Sequence, residues 1–315
     1  MIQTEPLALR VRDVAPLSPT LKRVVLEAAD GGPLPTTQPG AHLSLALPCE
    51  HGAHHNSYSI VSGCHDRAAY ELIVRRTATS RGGSRFIHEA LGIGRVLQSS
   101  APNSQFSLQS RARRHLLIGG GVGITPLLSF LRELRGRGGH LEMHHFAGVA
   151  EVPVFEALLE PFASADVHVH AGRAGFDPLP LLERQPLGTH LYCCGPAVLM
   201  NIVQQGAIAA GWPPTSVHSE SFAAAGGDPF VVRLARTGGE IAVGEHESML
   251  EALENAGLPV PSLCRGGACG ECLTAVLEGA PDHRDHVLSD GEKAEGRLVM
   301  PCVSRAKTPF LTLDL

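Results

Sequence analysis

Short stretches of alternating apolar and polar residues fill the first third of the chain. Leu7–Val14, Leu21–Glu27, His42–Leu47 and Tyr70–Arg75 each read as a strand, with Gly/Pro-rich turns between them. Short, regularly spaced strands of this kind predict an antiparallel β-barrel over residues 1–110. From residue 111 to 224 the pattern changes. Apolar strands at His115–Ile118, Leu141–Phe146, Val167–His170 and His190–Cys194 alternate with helical periods at Pro126–Arg135 and Ala197–Ala210. That alternation predicts an α/β domain on a parallel sheet. The small-residue stretch Ala223–Pro229 reads as a linker. Beyond it, residues 229–315 form a third, α+β region. There Phe230–Ala235 and Glu240–Val243 pattern as a hairpin, and Ser248 and Glu251 have capping-box spacing for a helix ending near Gly257. A last unit this small buries limited core, so a bound metal group would add useful cross-linking.

The cysteines say what that group is. Cys264, Cys269 and Cys272 stand in C-x4-C-x2-C spacing inside a Gly/Ala-rich loop, and Cys302 follows alone. This is the spacing of a plant-type [2Fe–2S] cluster, an oxidation–reduction group that moves one electron at a time. Three thiolates must converge on it from one tight loop, which small residues permit. Zinc sites instead pair two short hooks. With this cluster the chain is an electron carrier or an electron-transfer enzyme.

In the middle region Gly119-Gly120-Gly121-Val122-Gly123-Ile124-Thr125-Pro126 follows a strand and opens a helix. Backbone and helix end can approach a phosphate there. Pro126 suits the first helical position and Thr125 suits the cap. The segment is not G-x-G-x-x-G, and a tight turn without a ligand is the alternative. Cys194-Gly195-Pro196 closes another strand, at the edge of a parallel sheet where ligands bind.

Composition excludes several classes. At 315 residues, 43 % apolar and 18 % charged, this is an ordinary globular chain of two or three domains. A net charge of −5 gives no reason to expect a nucleic-acid partner. The N-terminal residues lack the pattern of a signal peptide. The longest uncharged run, Leu116–Leu131, is too short and glycine-rich to span a membrane. Cys49, Cys64, Cys193 and Cys194 show no disulfide framework, so a reducing cytoplasm is the expected compartment. The 17 histidines show no metal-ligand spacing with acidic partners, and the Rieske pattern C-x-H…C-x2-H is absent. This chain is therefore not expected to be an oxygenase itself.

Taken together, the cysteine pattern, Gly119–Pro126 and Cys194-Gly195-Pro196 resemble the ferredoxin–NADP reductase superfamily, and within it the phthalate dioxygenase reductase family. The resemblance covers the whole chain. It implies a flavin barrel (1–110), an NAD-binding α/β domain (111–224) and a β-grasp ferredoxin domain (229–315). It further implies an R-x-Y-S flavin segment, matched here by Asn56-Ser57-Tyr58-Ser59, with Asn56 in place of the arginine. Arg81-Gly82-Gly83-Ser84 matches the flavin-phosphate loop before a short helix at Phe86–Leu91. Arg81, Arg85 or His55 could replace the missing charge. Phe222, in Ser219-Glu220-Ser221-Phe222, matches the phenylalanine that covers the flavin ring. Ser59, Cys194 and Phe222 are the residues implied beside the reacting atoms. Gly120, Gly121, Gly123, Ile124, Thr125 and Pro126, with Cys194, Gly195 and Pro196, are implied for the nicotinamide cofactor. Cys264, Cys269, Cys272 and Cys302 are implied for the cluster.

The family implies FMN rather than FAD. No Arg or Lys occurs in His145–Glu151 to meet a 2′-phosphate, which favours NADH, while Arg173 leaves NADPH open. The implied activity is NADH-dependent reduction of the Rieske centre of an oxygenase, by a monomeric reductase component. An iron–sulfur carrier or redox sensor without catalysis, and a reductase for a non-Rieske acceptor, are the other readings.

Overall fold

The computed structural model describes residues 6–49, 52–77, 82–104, 106–137, 140–163, 166–222, 227–245, 247–262, 265–267, 269–285 and 287–315. These fall into two compact units, Met1–Phe222 and Ala223–Leu315. The linker residues 223–226 lie outside the described residues.

The first unit opens with β1 (Leu7–Pro16), β2 (Leu21–Ala28), β3 (His42–Cys49), β4 (Gly52–Ser59), β5 (Tyr70–Arg75), α1 (Gly83–Glu89) and β6 (Val96–Ser99). The strands pair antiparallel in the order β4-β3-β6-β1-β2-β5. A bridge between Ile60 and Leu72 draws the two edges together into a nearly closed barrel. Period-two alternation fills it: Leu43, Leu45 and Leu47 of β3 are all fully buried and line one face. The helix α1 starts at Gly83, earlier than the predicted Phe86, so Gly83 and Ser84 sit in its first turn.

The chain then forms β7 (Arg114–Gly120), α2 (Ile124–Arg137), β8 (His140–Ala147), α3 (Val152–Leu159), β9 (Asp166–Ala171), α4 (Leu179–Glu183), β10 (Thr189–Cys194), α5 (Ala197–Ala209) and β11 (Val217–Glu220). The sheet is parallel, in the order β11-β10-β7-β8-β9. It starts at its middle with β7, runs out to β9, then returns to β10. The reversal between β7 and β10 opens a crevice at their C-terminal ends.

Barrel and sheet share a core. Leu21, Val61, Ile73 and Phe106 of the barrel region pack with Leu117, Leu127, Phe130 and Tyr192. Phe130 lies 5.1 Å from Phe106 and 5.2 Å from Tyr192, ring to ring. Polar ties add to this. Gly40 N–H donates to Ser129 Oγ at 2.8 Å. Arg75 donates from both guanidinium nitrogens to the Glu151 carboxylate, at 2.8 and 2.9 Å, and Thr20 Oγ donates to it at 2.7 Å.

The second unit holds β12 (Phe230–Leu234), β13 (Glu240–Val243), α6 (Met249–Asn255), β14 (Thr274–Glu278), β15 (Pro281–Asp282), α7 (Asp290–Glu295), β16 (Leu298–Val299), β17 (Arg305–Ala306) and β18 (Phe310–Leu313). Its main sheet runs β13-β12-β18-β14-β16, with β12 and β18 parallel and adjacent at its centre. First and last long strands side by side, with a helix across them, make the β-grasp arrangement. The capping box of α6 forms as its sequence predicts, and Ser289 and Glu292 build a second one on α7. Arg305 is buried and donates to four backbone carbonyls, those of Glu247, Gly227, Asp228 and Gly244.

Candidate functional site

At the switch point three strand ends stand in register: Gly119 of β7 beside Cys194 of β10, and Cys194 beside Glu220 of β11. The loop after β7 is a 3-10 turn, Gly121–Gly123, that runs directly into α2. It interlocks with the loop after β10. A Cβ on Gly123 would stand 2.3 Å from the Cys194 carbonyl oxygen, and one on Gly195 would stand 2.9 Å from Gly120 N. Only bare backbone fits at that spacing. The sequence-based roles of two neighbours change. Helix α2 begins at Ile124, so Thr125 and Pro126 are its second and third residues. The Thr125 hydroxyl donates to the Val122 carbonyl at 2.9 Å instead of accepting as a cap. Pro126 remains compatible, because N–H groups of the first turn have no intrahelical acceptor.

Buried polar atoms of two side chains beneath this crevice carry no hydrogen-bond partner. His145 lies next to Gly119 in register, is fully buried, and neither ring nitrogen makes a hydrogen bond. Its ring packs 4.4 Å from Phe155. Burial first, then the Arg75 charge, pulls its pKa down to about 3. Glu220 Oε2 is also buried without a partner, and desolvation raises that carboxyl to about 8. Burial likewise raises the Cys194 thiol, which stays protonated. The crevice floor is therefore electrically neutral at pH 7, which suits an anionic pyrophosphate above it. Sequence reasoning noted Glu220 only as part of a motif; its register beside Cys194 becomes visible only in the paired sheet.

Arg75 extends the site towards the barrel. Its Nη2 lies 3.6 Å from where a Gly121 Cβ would stand, so the Glu151-bound guanidinium sits beside the glycine loop. Nothing in the sequence singled out Arg75 or Glu151, which are distant in the chain and meet only in the folded unit.

On the barrel, Asn56, Ser57, Tyr58 and Ser59 occupy the last half of β4. Asn56 Nδ2 donates to Tyr58 Oη at 3.1 Å and would lie 2.4 Å from a Cβ on Gly83. Strand β4 and the Gly82–Ser84 segment of α1 are thus in direct contact. Ser59 is buried, and its Oγ has no partner. An orphaned hydroxyl next to Tyr58 fits a ring-shaped polar cofactor against this strand. Arg81 lies outside the described residues. Phe222, the last residue of the first unit, is 44 % exposed, so its ring is not part of the core.

In the second unit Cys272 and Cys302 are buried with sulfurs 3.3 Å apart, and Cys269 is partly exposed. None of the three is in a disulfide. The Glu271 N–H points at Cys269 Sγ at 3.5 Å. Contact with Cys302 draws the Cys272 thiol down to about 7, closer to the thiolate a metal needs. Cys264 lies outside the described residues. Gly267 and Gly270 have φ of +72° and +81°, the left-handed turns that fold the loop back on itself. The donor set and loop fit an iron–sulfur cluster. With Cys264 outside the described residues, no group of three or more acidic, cysteine or histidine side chains among the described residues is placed to hold a metal ion. Several histidines pair among themselves or with carboxylates: His144 bonds Glu142 and His170, His168 bonds Asp166, and His190 bonds His218. No helix among the described residues is long and apolar enough to cross a membrane.

Residues 232–307 match the 2Fe-2S iron-sulfur cluster binding domain family. The chain is 40 % identical to the heme-dependent oxidative N-demethylase beta subunit of Ectopseudomonas mendocina, over 98 % of this chain and 99 % of that one. It is 37 % identical to phthalate dioxygenase reductase of Burkholderia cepacia, over 90 % of each. A solved structure of a phthalate dioxygenase reductase, described as modular for electron transfer from pyridine nucleotides to [2Fe–2S], superposes with a TM-score of 0.80 at 35 % identity and 98 % coverage of both chains. The nearly closed barrel, the glycine crevice and the cysteine loop thus stand in one chain, and the chain belongs to the phthalate dioxygenase reductase family, the NADH-linked flavin and [2Fe–2S] reductase components of oxygenase systems.

Proposed function

We propose that this protein draws electrons from NADH onto an FMN held by the barrel, and delivers them through its [2Fe–2S] cluster to the Rieske centre of a partner oxygenase. When bound, the flavin supplies conversion of a two-electron hydride into single electrons, and the cluster supplies a one-electron exit. The residues of the chain bind, orient and shield. Tyr58 and Ser59 line the flavin ring, with the orphaned Ser59 hydroxyl as a hydrogen-bonding group for it. Asn56 steadies the Tyr58 hydroxyl, and Ser57, Arg81, Gly82, Gly83 and Ser84 meet the ribityl phosphate side. Gly120, Gly121, Gly123, Ile124, Thr125 and Pro126 cradle the pyrophosphate, and Cys194, Gly195 and Pro196 bound the nicotinamide end. Phe222, exposed at the end of the unit, would shield the bound flavin ring. Cys264, Cys269, Cys272 and Cys302 hold the cluster.

The single observation that carries this reading is the backbone interlock of Gly123 with Cys194 and Gly195 at the switch point, beside neutral Cys194 and Glu220. Glycine at these positions lets the two strand-end loops close on each other and brings their backbone to the switch point, where a dinucleotide would lie. NADH is favoured over NADPH because His145–Glu151 offers no cation for a 2′-phosphate. A haem-containing acceptor is the second reading, supported by the name of the E. mendocina relative. Anaerobic mixing of holoprotein with NADH tests the core claim. Flavin bleaching followed by loss of cluster colour is the expected sequence; a cluster that responds only to dithionite would make the chain a carrier. Reduction of a purified Rieske oxygenase, against a haem protein as comparator, separates the two acceptors.

A further inference from the structure

Three buried polar atoms in the second unit have no partner and lie close together. They are both ring nitrogens of His283 and Oδ1 of Asp285. The His283 side chain is 7 % exposed and that of Asp285 0 %, with Nδ1 and Oδ1 3.8 Å apart. That gap is too long for a hydrogen bond and short enough for one to close. Leaving such groups unsatisfied inside a small domain is destabilising.

Their position offers a reason. Asp285 packs on the cysteine loop: its Cα lies 3.2 Å from where a Gly267 Cβ would stand, and Val287 lies 3.5 Å from that of Gly270. The other carboxyl oxygen, Oδ2, accepts from Val287 N and Leu288 N at 3.1 and 2.8 Å and fixes the carboxylate in place. Charged groups surround the pair from every side. Lys293 of α7 stands 4.0 Å from Oδ2 and donates to the Asp285 carbonyl, and Glu292 of the same helix faces Asp285. Arg284 is paired with Asp282, and Arg305 lies opposite Asp282 across the β15–β17 ladder. On the cysteine loop itself, Arg265 is bound to Glu254.

We propose that His283 and Asp285 form a proton-accepting pair coupled to the cluster: when the cluster gains one electron from the flavin, His283 gains one proton from solvent, and both leave on reoxidation by the acceptor. The added negative charge favours an imidazolium nearby, and that imidazolium closes the gap to Asp285 Oδ1. Charge in the loop then stays constant through turnover. His283 is a positioning residue for charge here. The inference rests on the cluster reading above.

The test is an anaerobic redox titration of the holoprotein, following the cluster by its electron-spin resonance signal between about pH 6 and pH 8. One coupled proton makes the reduction equilibrium tenfold less favourable per pH unit, about 59 mV. Part of that range is expected to show this slope in the native protein. His283→Gln should be pH-independent with an unchanged cluster signal. Asp285→Asn keeps an oxygen for Val287 and Leu288 and should also lose the slope. A pH-independent native potential overturns the proposal, as does a slope that survives either substitution. A native protein without any cluster signal refutes the cofactor reading instead.

Discussion

Single side chains decide three measurable outcomes. Cys269 is a partly exposed cysteine of the cysteine loop. Cys269→Ser is expected to abolish cluster absorbance while NADH still bleaches the flavin, because the barrel and crevice lie in the other unit. Gly123→Ala places a carbon 2.3 Å from a backbone oxygen that has nowhere to move. Overpacking of this kind costs about 1–3 kcal/mol of stability and pushes the two loops apart, so NADH binding should weaken in a direct titration, with flavin content unchanged. Phe222→Ala should alter the KM for NADH and leave flavin bound; identical kinetics would remove Phe222 from the site. The cysteine spacing and glycine run were legible because each residue type there has one job. The orphaned His145 and Glu220 were not, since burial depends on what the rest of the chain places above them.

Among elements, the link between β5 and the loop after β8 is the most exposed to test. The Arg75–Glu151 pair is bidentate and mostly shielded, with side chains 24 % and 20 % exposed. Glu151→Gln should reduce stability to urea by about 1–2 kcal/mol, after allowance for partial solvent screening. It should also raise the KM for NADH, because Arg75 loses its anchor beside Gly121. An unchanged KM with lowered stability would make the pair a strut only. Alternation exposed β1, β2, β3 and β5 in the sequence, and strand–helix alternation exposed the parallel sheet. Strand β4 escaped, since Gly52-Ala53-His54-His55-Asn56-Ser57 has almost no apolar signal and is held by full pairing with β3. β15 and β17, two residues each, are too short to show any period. Helix α1 begins at a glycine pair that reads as a loop, so its start was misplaced.

For the whole molecule, the neutral crevice floor shapes stability against pH. His145 is held at about 3 in the folded chain and returns to about 6.5 when unfolded. The unfolded chain therefore binds the extra proton, and stability falls as pH drops from about 6.5 towards 3, by a few kcal/mol. His145→Leu should flatten this acid limb in pH-dependent urea melts. Glu220 acts in the opposite sense. Its raised folded value of about 8 means that stability declines as pH climbs from about 4.5 to 8. Glu220→Gln should remove that decline; a melt profile identical to native would place the carboxyl in water.

The guanidinium of Arg305 also determines where the C-terminal unit can be cut free. Two of its four carbonyl acceptors, Gly227 and Asp228, precede the first strand of that unit. A fragment beginning at Phe230 would strand a buried cation with half its ligands, whereas one beginning at Gly227 retains them all. Anyone grafting this electron outlet onto another flavoprotein should therefore carry the two residues upstream of Pro229 along with it.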